Sequence, residues 1–168
     1  ISVVVCSRNG SRTLSDCLES LKTLNYPDFE VLVIDDGSTD ATAEIAKGFS
    51  FVKYHRQEPA GLSVARNRGA ELASGTVVAY TDDDCIAHAD WLLHLSHAFA
   101  DEKVLAAGGP NIPPPPRNRI ERIVAAQMQD AIAVAAQPLE VACDLAGRFR
   151  EAEQHRIGKL LRQRALSS

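Results

Sequence analysis

No two cysteines of this chain lie close enough in sequence for a metal knuckle or a redox pair. Cys6, Cys17, Cys85 and Cys143 are scattered over 168 residues, whereas such sites need Cys-x-x-Cys spacing, so reduced thiols in a cytoplasmic setting are the expectation. No apolar run approaches the roughly 20 residues that a membrane-spanning helix requires, and no charged leader precedes an apolar stretch at the start. Basic residues are not in excess: 18 Lys and Arg stand against 22 Asp and Glu, a formal net charge of -4, which gives no general attraction to nucleic acid. Charge is unevenly spread: from Arg117 to Arg164 the basic residues outnumber the acidic ones. A peripheral contact of that segment with the inner face of a membrane is one expectation, and a solvated helix face is the other.

Against these absences, 45% of the residues are hydrophobic, enough for one domain with a sizeable core. Ser2-Val3-Val4-Val5-Cys6 is nearly all apolar and ends in the turn residues Ser7-Arg8-Asn9-Gly10, the pattern of a strand buried on both faces in a parallel sheet. Leu14, Cys17, Leu18 and Leu21 recur at helical spacing before Tyr26-Pro27. A second strand is expected over 29–34, a helix from a Ser38 or Thr39 cap through Ala46, a third strand over 51–55 and a helix over 63–73. A fourth strand follows over 76–80, a helix over 90–99 and a short strand over 104–107. Alternating strands and helices predict a three-layer α/β/α sandwich with a mainly parallel sheet, Rossmann-like in architecture. Beyond the stiff run Pro113 to Pro116, helices are expected over 120–128 and 145–166 as a C-terminal extension.

Two acidic clusters carry the chemistry. Asp82-Asp83-Asp84 closes the fourth strand and Asp35-Asp36-Gly37-Ser38 closes the second. Three adjacent carboxylates cannot lie unpaired in a core. At the carboxyl end of a parallel strand they face the crevice where ligands bind, and a hard divalent cation would relieve their repulsion. The alternative is a solvated turn, which Asp favours. One aspartate of the second cluster can cap the following turn, and the other is then free to accept from a base N–H or a ribose hydroxyl.

The order of four segments is specific where any one would be weak. Ser2 to Asn9, Tyr26 to Asp40 with its Asp-Asp-Gly-Ser, Gly61-Leu62-Ser63-Val64-Ala65-Arg66-Asn67-Arg68-Gly69-Ala70, and Gly75 to Asp84 together closely resemble the nucleotide-binding half of family 2 glycosyltransferases with the GT-A fold. The resemblance covers residues 1–112 and implies a nucleotide-sugar-binding domain there, followed over 113–168 by the proline linker and helical segment. It implies that Cys6, Ser7 and Arg8 form the polar loop that contacts the nucleotide. The family more often has an aromatic residue where Arg8 stands, and a guanidinium plane also stacks on a base. Asp36 matches the residue that bonds the base, leaving Asp35 the structural role, and Arg66 and Asn67 match the helix beneath the pyrophosphate and sugar. Asp84 matches the direct ligand of Mg²⁺ or Mn²⁺. Asp82 or Asp83 would hold the ribose or a metal-bound water, with Asp82 the second candidate for the metal.

The implied function is transfer of a sugar from a UDP- or GDP-linked donor to an acceptor hydroxyl, with inversion; saccharide, lipid and protein acceptors stay open. Such a transferase needs a base downstream, usually in an acidic pair after a Gly-Gly-Phe-Asp segment. Here Gly147-Arg148-Phe149 lacks the Asp, and Asp130, Glu140, Asp144, Glu151 and Glu153 stand in no such setting. Either the acceptor half lies beyond Ser168, or the chain is a divergent, donor-binding but catalytically incomplete module. A phosphorelay receiver fits less well, because a whole strand-helix unit precedes the acidic pair and no lysine follows Asp82 at a suitable distance. A nucleotidyltransferase needs a richer glycine loop than Asn9-Gly10-Ser11-Arg12. His88, His94 and His97 lack a further ligand in metal spacing and are expected to be solvated.

Overall fold

The computed structural model describes residues 1–101 and 103–109, together with 112, 115, 116, 118, 119 and 122. Ile1–Ala107 forms one compact unit, and Gly108–Ser168 the second. In the first, strands and helices alternate: β1 Ser2–Ser7, α1 Leu14–Lys22, β2 Glu30–Asp36, α2 Thr42–Lys47, β3 Val52–Gln57, α3 Leu62–Leu72, β4 Val78–Asp82 and α4 Trp91–Ala98. The sheet runs β3-β2-β1-β4 with every pair parallel.

The apolar runs bury both faces of the central strands. Val3, Val5, Val31 and Val33 point to one side, where they meet Leu14, Cys17, Leu18 and Leu21 of α1, Ala46 of α2 and Leu92 and Leu95 of α4. Val4, Cys6, Leu32 and Ile34 point to the other side and meet Ala65 of α3. The three layers follow from this division. β1, β2 and β3 are laid down outward in one direction, and the chain then crosses by α3 to place β4 on the far side of β1. The strand order therefore reverses between β1 and β4, and the crevice at their carboxyl ends is where such sheets take ligands.

Two features of the packing set how closely the layers approach. Gly69 of α3 sits against the fully buried Val4, and a Cβ there would overlap the Val4 methyls, standing 3.1 Å from Cγ2 and 3.3 Å from Cβ. At the opposite end of the sheet, Glu30 accepts from Ser2 Oγ at 2.5 Å, Ser74 N at 2.7 Å, Ser74 Oγ at 2.6 Å and Lys53 Nζ at 2.7 Å. That one carboxylate joins β1, β2, β3 and the α3–β4 loop. Its burial alone would raise its pKa, but the bonds from Lys53, Ser2 and Ser74 outweigh it and hold the carboxyl well below its ordinary value of 4.5.

The structure differs from the sequence expectation in three places. No strand forms over 104–107: Val104 N closes a turn on Asp101 O at 2.9 Å, and Leu105 is 83% exposed. Helix α2 begins at Thr42, and its first turn is bonded by Asp40, whose Oδ1 accepts from Thr42 N at 3.0 Å; Ser38 and Thr39 are engaged with Asn9. Strands β2, β3 and β4 each end two residues further than expected, so Asp35, Asp36 and Asp82 belong to strands. Arg119 and Arg122 are helical, with Arg122 N donating to Asn118 O at 3.1 Å. The remainder of the helix expected over 120–128 and all of the one over 145–166 lie outside the described residues.

Replacing Gly69 with Ala is expected to lower stability by about 1–3 kcal/mol, because overpacking against Val4 outweighs the better helix propensity of Ala; urea melts measure it. Glu30→Gln is expected to cost about 2 kcal/mol at pH 7. Since the folded pKa of Glu30 is depressed, the wild-type advantage is full above the ordinary glutamate value and lost as pH falls toward the folded one. Paired melts of the two proteins at pH 7, 4 and 3 should show the gap closing.

Candidate functional site

Asp35 and Asp36 end β2 side by side and are both buried, so each must find donors. Asp35 takes the turn: its Oδ1 accepts from Ser38 N at 2.7 Å, and its Oδ2 from Tyr54 Oη at 2.6 Å and Arg56 Nη1 at 3.4 Å. Burial would raise its pKa, but the Ser38 and Tyr54 bonds and the Arg56 charge outweigh it and the carboxyl is held low. Asp36 faces the next loop. It accepts from Gln57 Nε2 at 2.8 Å, Ala60 N at 2.7 Å and Gly61 N at 2.8 Å, with Arg8 Nη1 at 3.9 Å. The Ala60 bond above all, helped by those from Gln57 and Gly61 and by Arg8, keeps it ionised against the opposing effect of burial.

Glycine makes that arrangement fit. Gly37 has φ 72°, and a Cβ on it would run into the Pro59 ring, 2.6 Å from Cδ. Only the missing side chain lets the β3–α3 loop close over the β2–α2 turn and bring the N–H groups of Ala60 and Gly61 onto Asp36. Asp36 thereby acts as a tertiary cap at the start of α3, which has no side-chain cap of its own.

The second cluster is built on β4. Asp82 lies opposite Cys6 in the parallel register. Its side chain is 56% exposed and its Oδ1 accepts from Arg66 Nη2 at 2.9 Å. Arg66 is fixed from behind as well, since Tyr80 Oη donates to its carbonyl at 3.1 Å. Asp83 turns inward and accepts from the Ser7 hydroxyl, and a Cβ on Gly10 would overlap both its carboxylate and Ser7 Oγ. Burial, with the charges of Asp84 and Asp82, raises Asp83 above its ordinary value, although the Ser7 bond opposes this. Asp84 is exposed, with Cys85 Sγ 3.8 Å from its Oδ1. Beneath the turn, the Asp82 carbonyl accepts from both Cys17 Sγ at 3.5 Å and Cys85 N at 3.2 Å.

The loop after β1 joins the two clusters. Asn9 adopts φ 56°, its N donates to Ser38 Oγ at 2.9 Å, and its Oδ1 accepts from Thr39 N at 2.8 Å. Ser11 N donates to Asp40 Oδ2 at 3.1 Å. Cys6 is buried beneath this edge; desolvation pushes its thiol up to about 11, Arg66 lowering and Asp82, Asp36 and Asp83 adding to the rise. Cys6, Ser7, Arg8, Asp36, Arg66, Asp82, Asp83 and Asp84 therefore gather at one sheet edge. Asn67 is exposed on α3, one residue beyond Arg66.

Gln57, Ala60 and Gly61 are site residues that the sequence did not single out. Gln57 lies opposite Asp36 in the β2–β3 register, so correct strand pairing would have found it. The two backbone donors carry no residue-type signal beyond Gly61 itself, whose φ is 92°. His88, His94 and His97 are exposed, and no group of three His, Cys, Asp or Glu side chains among the described residues forms a metal cage.

Comparison with known proteins gives this edge a context. The model of the family described as Glycosyl transferase family 2 matches residues 2–165. Glycosyltransferase GlyA of Streptococcus pneumoniae is 43% identical over 96 residues, 55% of this chain and 13% of the relative. The Glucosyl-dolichyl phosphate glucuronosyltransferase of Haloferax volcanii is 32% identical over 120 residues, 67% of this chain and 38% of the relative. Among solved structures, S. aureus TarS 1-349 in complex with UDP-GlcNAc superposes with a TM-score of 0.57 at 26% identity, covering 66% of this chain and 37% of that one. The mannosyltransferase PcManGT from Pyrobaculum calidifontis, in complex with GDP-Man and Mn²⁺, superposes with a TM-score of 0.59 at 26% identity, covering 61% and 33%. The chain thus spans well under half the length of these proteins. With a family match that runs from the first strand almost to the last residue and a parallel α/β sheet of the GT-A kind beneath it, the chain belongs to glycosyl transferase family 2.

Proposed function

We propose that this chain is the donor-binding part of a glycosyltransferase that holds a nucleoside-diphosphate sugar and presents it to an acceptor hydroxyl for transfer with inversion. The observation that carries the reading is the pair of acidic strand ends flanking β1 at the point where the strand order reverses, with Arg66 reaching from α3 to Asp82. The ligands named for the two structural neighbours, UDP-GlcNAc in one and GDP-Man with Mn²⁺ in the other, support it.

In this reading Asp36 accepts an N–H of the base, and Cys6, Ser7 and Arg8 border the nucleotide. The Arg66 guanidinium meets the pyrophosphate, Asn67 lies toward the sugar, and Asp82 or Asp83 takes the ribose or a metal-bound water. The residues present fit Mg²⁺ or Mn²⁺. Asp82 and Asp84 are exposed hard-oxygen donors two residues apart, while Asp83 is engaged by Ser7. Such cations accept one or two carboxylates and complete their shell with phosphate oxygens and water, so a cage of protein ligands is not required. Asp84 and Asp82 would hold the ion. When bound, it offsets the charge that develops on the departing diphosphate.

The carboxylates considered as the base, Asp130, Glu140, Asp144, Glu151 and Glu153, lie outside the described residues, so the reading concerns the donor side alone. A cytoplasmic setting is part of the proposal. It draws support from the free thiols of Cys6, Cys17 and Cys85. No helix among the described residues is long and apolar enough to cross a membrane, and contact of the basic C-terminal segment with a membrane surface is the peripheral form of the same proposal.

Calorimetry with UDP and GDP, with and without Mn²⁺, tests the reading. At least one diphosphate should bind, Mn²⁺ should tighten it, and Asp84→Ala should weaken the Mn²⁺-dependent binding by about tenfold or more. Binding of neither diphosphate in either condition, or an Asp84→Ala protein that binds like wild type, would sink it.

A further inference from the structure

Three arginines meet aspartates at this sheet edge, and the pairs differ in what their opening would leave behind. Arg8 approaches Asp36 at 3.9 Å and Arg56 approaches Asp35 at 3.4 Å, and those carboxylate side chains are 5% and 0% exposed. Their arginines add charge to aspartates that neutral donors already hold. The third pair is of another kind. Arg66 Nη2 meets Asp82 Oδ1 at 2.9 Å, with the arginine side chain 42% and the aspartate side chain 56% exposed. Water reaches both partners when they part, so this pair opens at little cost. Among the described residues no other cation makes an ion pair with Asp82, Asp83 or Asp84. Three adjacent carboxylates therefore share one positive group.

That pairing sets two roles of the edge against each other, since Asp82 faces the cation and Arg66 the diphosphate. Whichever oxygen of Asp82 a divalent ion met, the guanidinium charge would stand beside it and repel it. The guanidinium stays charged at any ordinary pH, so only a stronger anion removes it. A diphosphate is such an anion: it carries more charge than one carboxylate and receives a guanidinium on two oxygens at once. We infer that Arg66 competes with a divalent cation for Asp82, and that a nucleoside diphosphate ends the competition by drawing the guanidinium to itself and releasing Asp82. This inference rests on the reading of the edge as a nucleoside-diphosphate site and adds to it how the site is regulated. Asp84, exposed and without an ion-pair partner among the described residues, is available to a cation throughout, whereas Asp82 becomes available with the diphosphate. Arg66 thus opposes the cation alone and favours the diphosphate.

The experiment measures binding of Mn²⁺ alone to the 168-residue chain, through the paramagnetic resonance signal of the free ion, and binding of UDP and GDP by calorimetry with and without Mn²⁺. Wild type is compared with Arg66→Gln, with Arg66→Gln/Asp82→Asn and with Arg68→Gln. Arg68 pairs with Glu71 at 3.2 Å, so its loss removes the same charge from α3 without touching Asp82. At low ionic strength Arg66→Gln should bind Mn²⁺ alone about fivefold or more tighter than wild type. It should bind the diphosphates without Mn²⁺ severalfold more weakly, a change of opposite sign that a merely damaged fold does not produce. The added Asp82→Asn should cancel the gain, and Arg68→Gln should match wild type within about twofold. By linkage, Mn²⁺ should tighten the diphosphate by a larger factor in wild type than in Arg66→Gln. The competition is overturned by an Arg66→Gln protein that binds Mn²⁺ no tighter than wild type, by a gain that survives Asp82→Asn, or by an equal gain in Arg68→Gln. Undiminished diphosphate binding by Arg66→Gln, or a Mn²⁺ factor as large as in wild type, overturns the release; in all these cases the diphosphate site stands. If wild type binds neither diphosphate in either condition, the functional reading falls and this inference with it. Arg66→Met supplies the same comparison where Arg66→Gln does not melt cooperatively.

Discussion

Two adjacent carboxylates are removed from water at the end of β2, and the surrounding loops are folded so as to supply their donors. An unmatched ionised group at that depth would cost several kcal/mol. The turn after β2 therefore bends back on Asp35, β3 contributes Tyr54, Arg56 and Gln57, and the β3–α3 loop delivers two backbone N–H groups to Asp36. The entry of α3 is set by this constraint. Since α3 carries Arg66, the position of the cation that meets Asp82 on the other side of β1 is set by it as well.

Much of the scaffold was legible because parallel strands buried on both faces are nearly uniform in composition, as Val3-Val4-Val5 and Val31-Leu32-Val33-Ile34 are. The acidic clusters were legible for the complementary reason: charge at the end of such a run can only lie at the sheet edge. What sequence could not supply was the choice among competing local bonds. Ser38 has the chemistry of a helix cap, yet its hydroxyl accepts from Asn9 and Asp40 bonds the first turn of α2 instead. Likewise, Val104 to Ala107 has the composition of a strand, but a strand needs a neighbour to pair with, and composition does not provide one. Glu30 looks like an ordinary surface glutamate from its neighbours in sequence, and its partners at residues 2, 53 and 74 appear only once the chain is folded.

The three aspartates of the second cluster are chemically identical in sequence and different in structure. Asp82 is matched to a guanidinium, Asp83 is bonded by a hydroxyl above a glycine that leaves it room, and Asp84 is open to solvent. Asp82 ends the strand and Asp83 and Asp84 begin the turn after it, where the middle side chain turns in to Ser7 while its two neighbours stay exposed. An acidic triplet can thus present two donors to a ligand and spend the third on fixing its own backbone.

Arg66 is gripped at two points by a single strand, its guanidinium by Asp82 and its carbonyl by the Tyr80 hydroxyl, both of β4. Two attachments spaced along the strand remove a degree of freedom that one would leave. Both attachments tie α3 to β4 at this level of the sheet. A charged ligand that draws the guanidinium away from Asp82 leaves the bond from Tyr80 to the Arg66 carbonyl in place, so the arginine's side chain can turn while its backbone stays moored to the sheet.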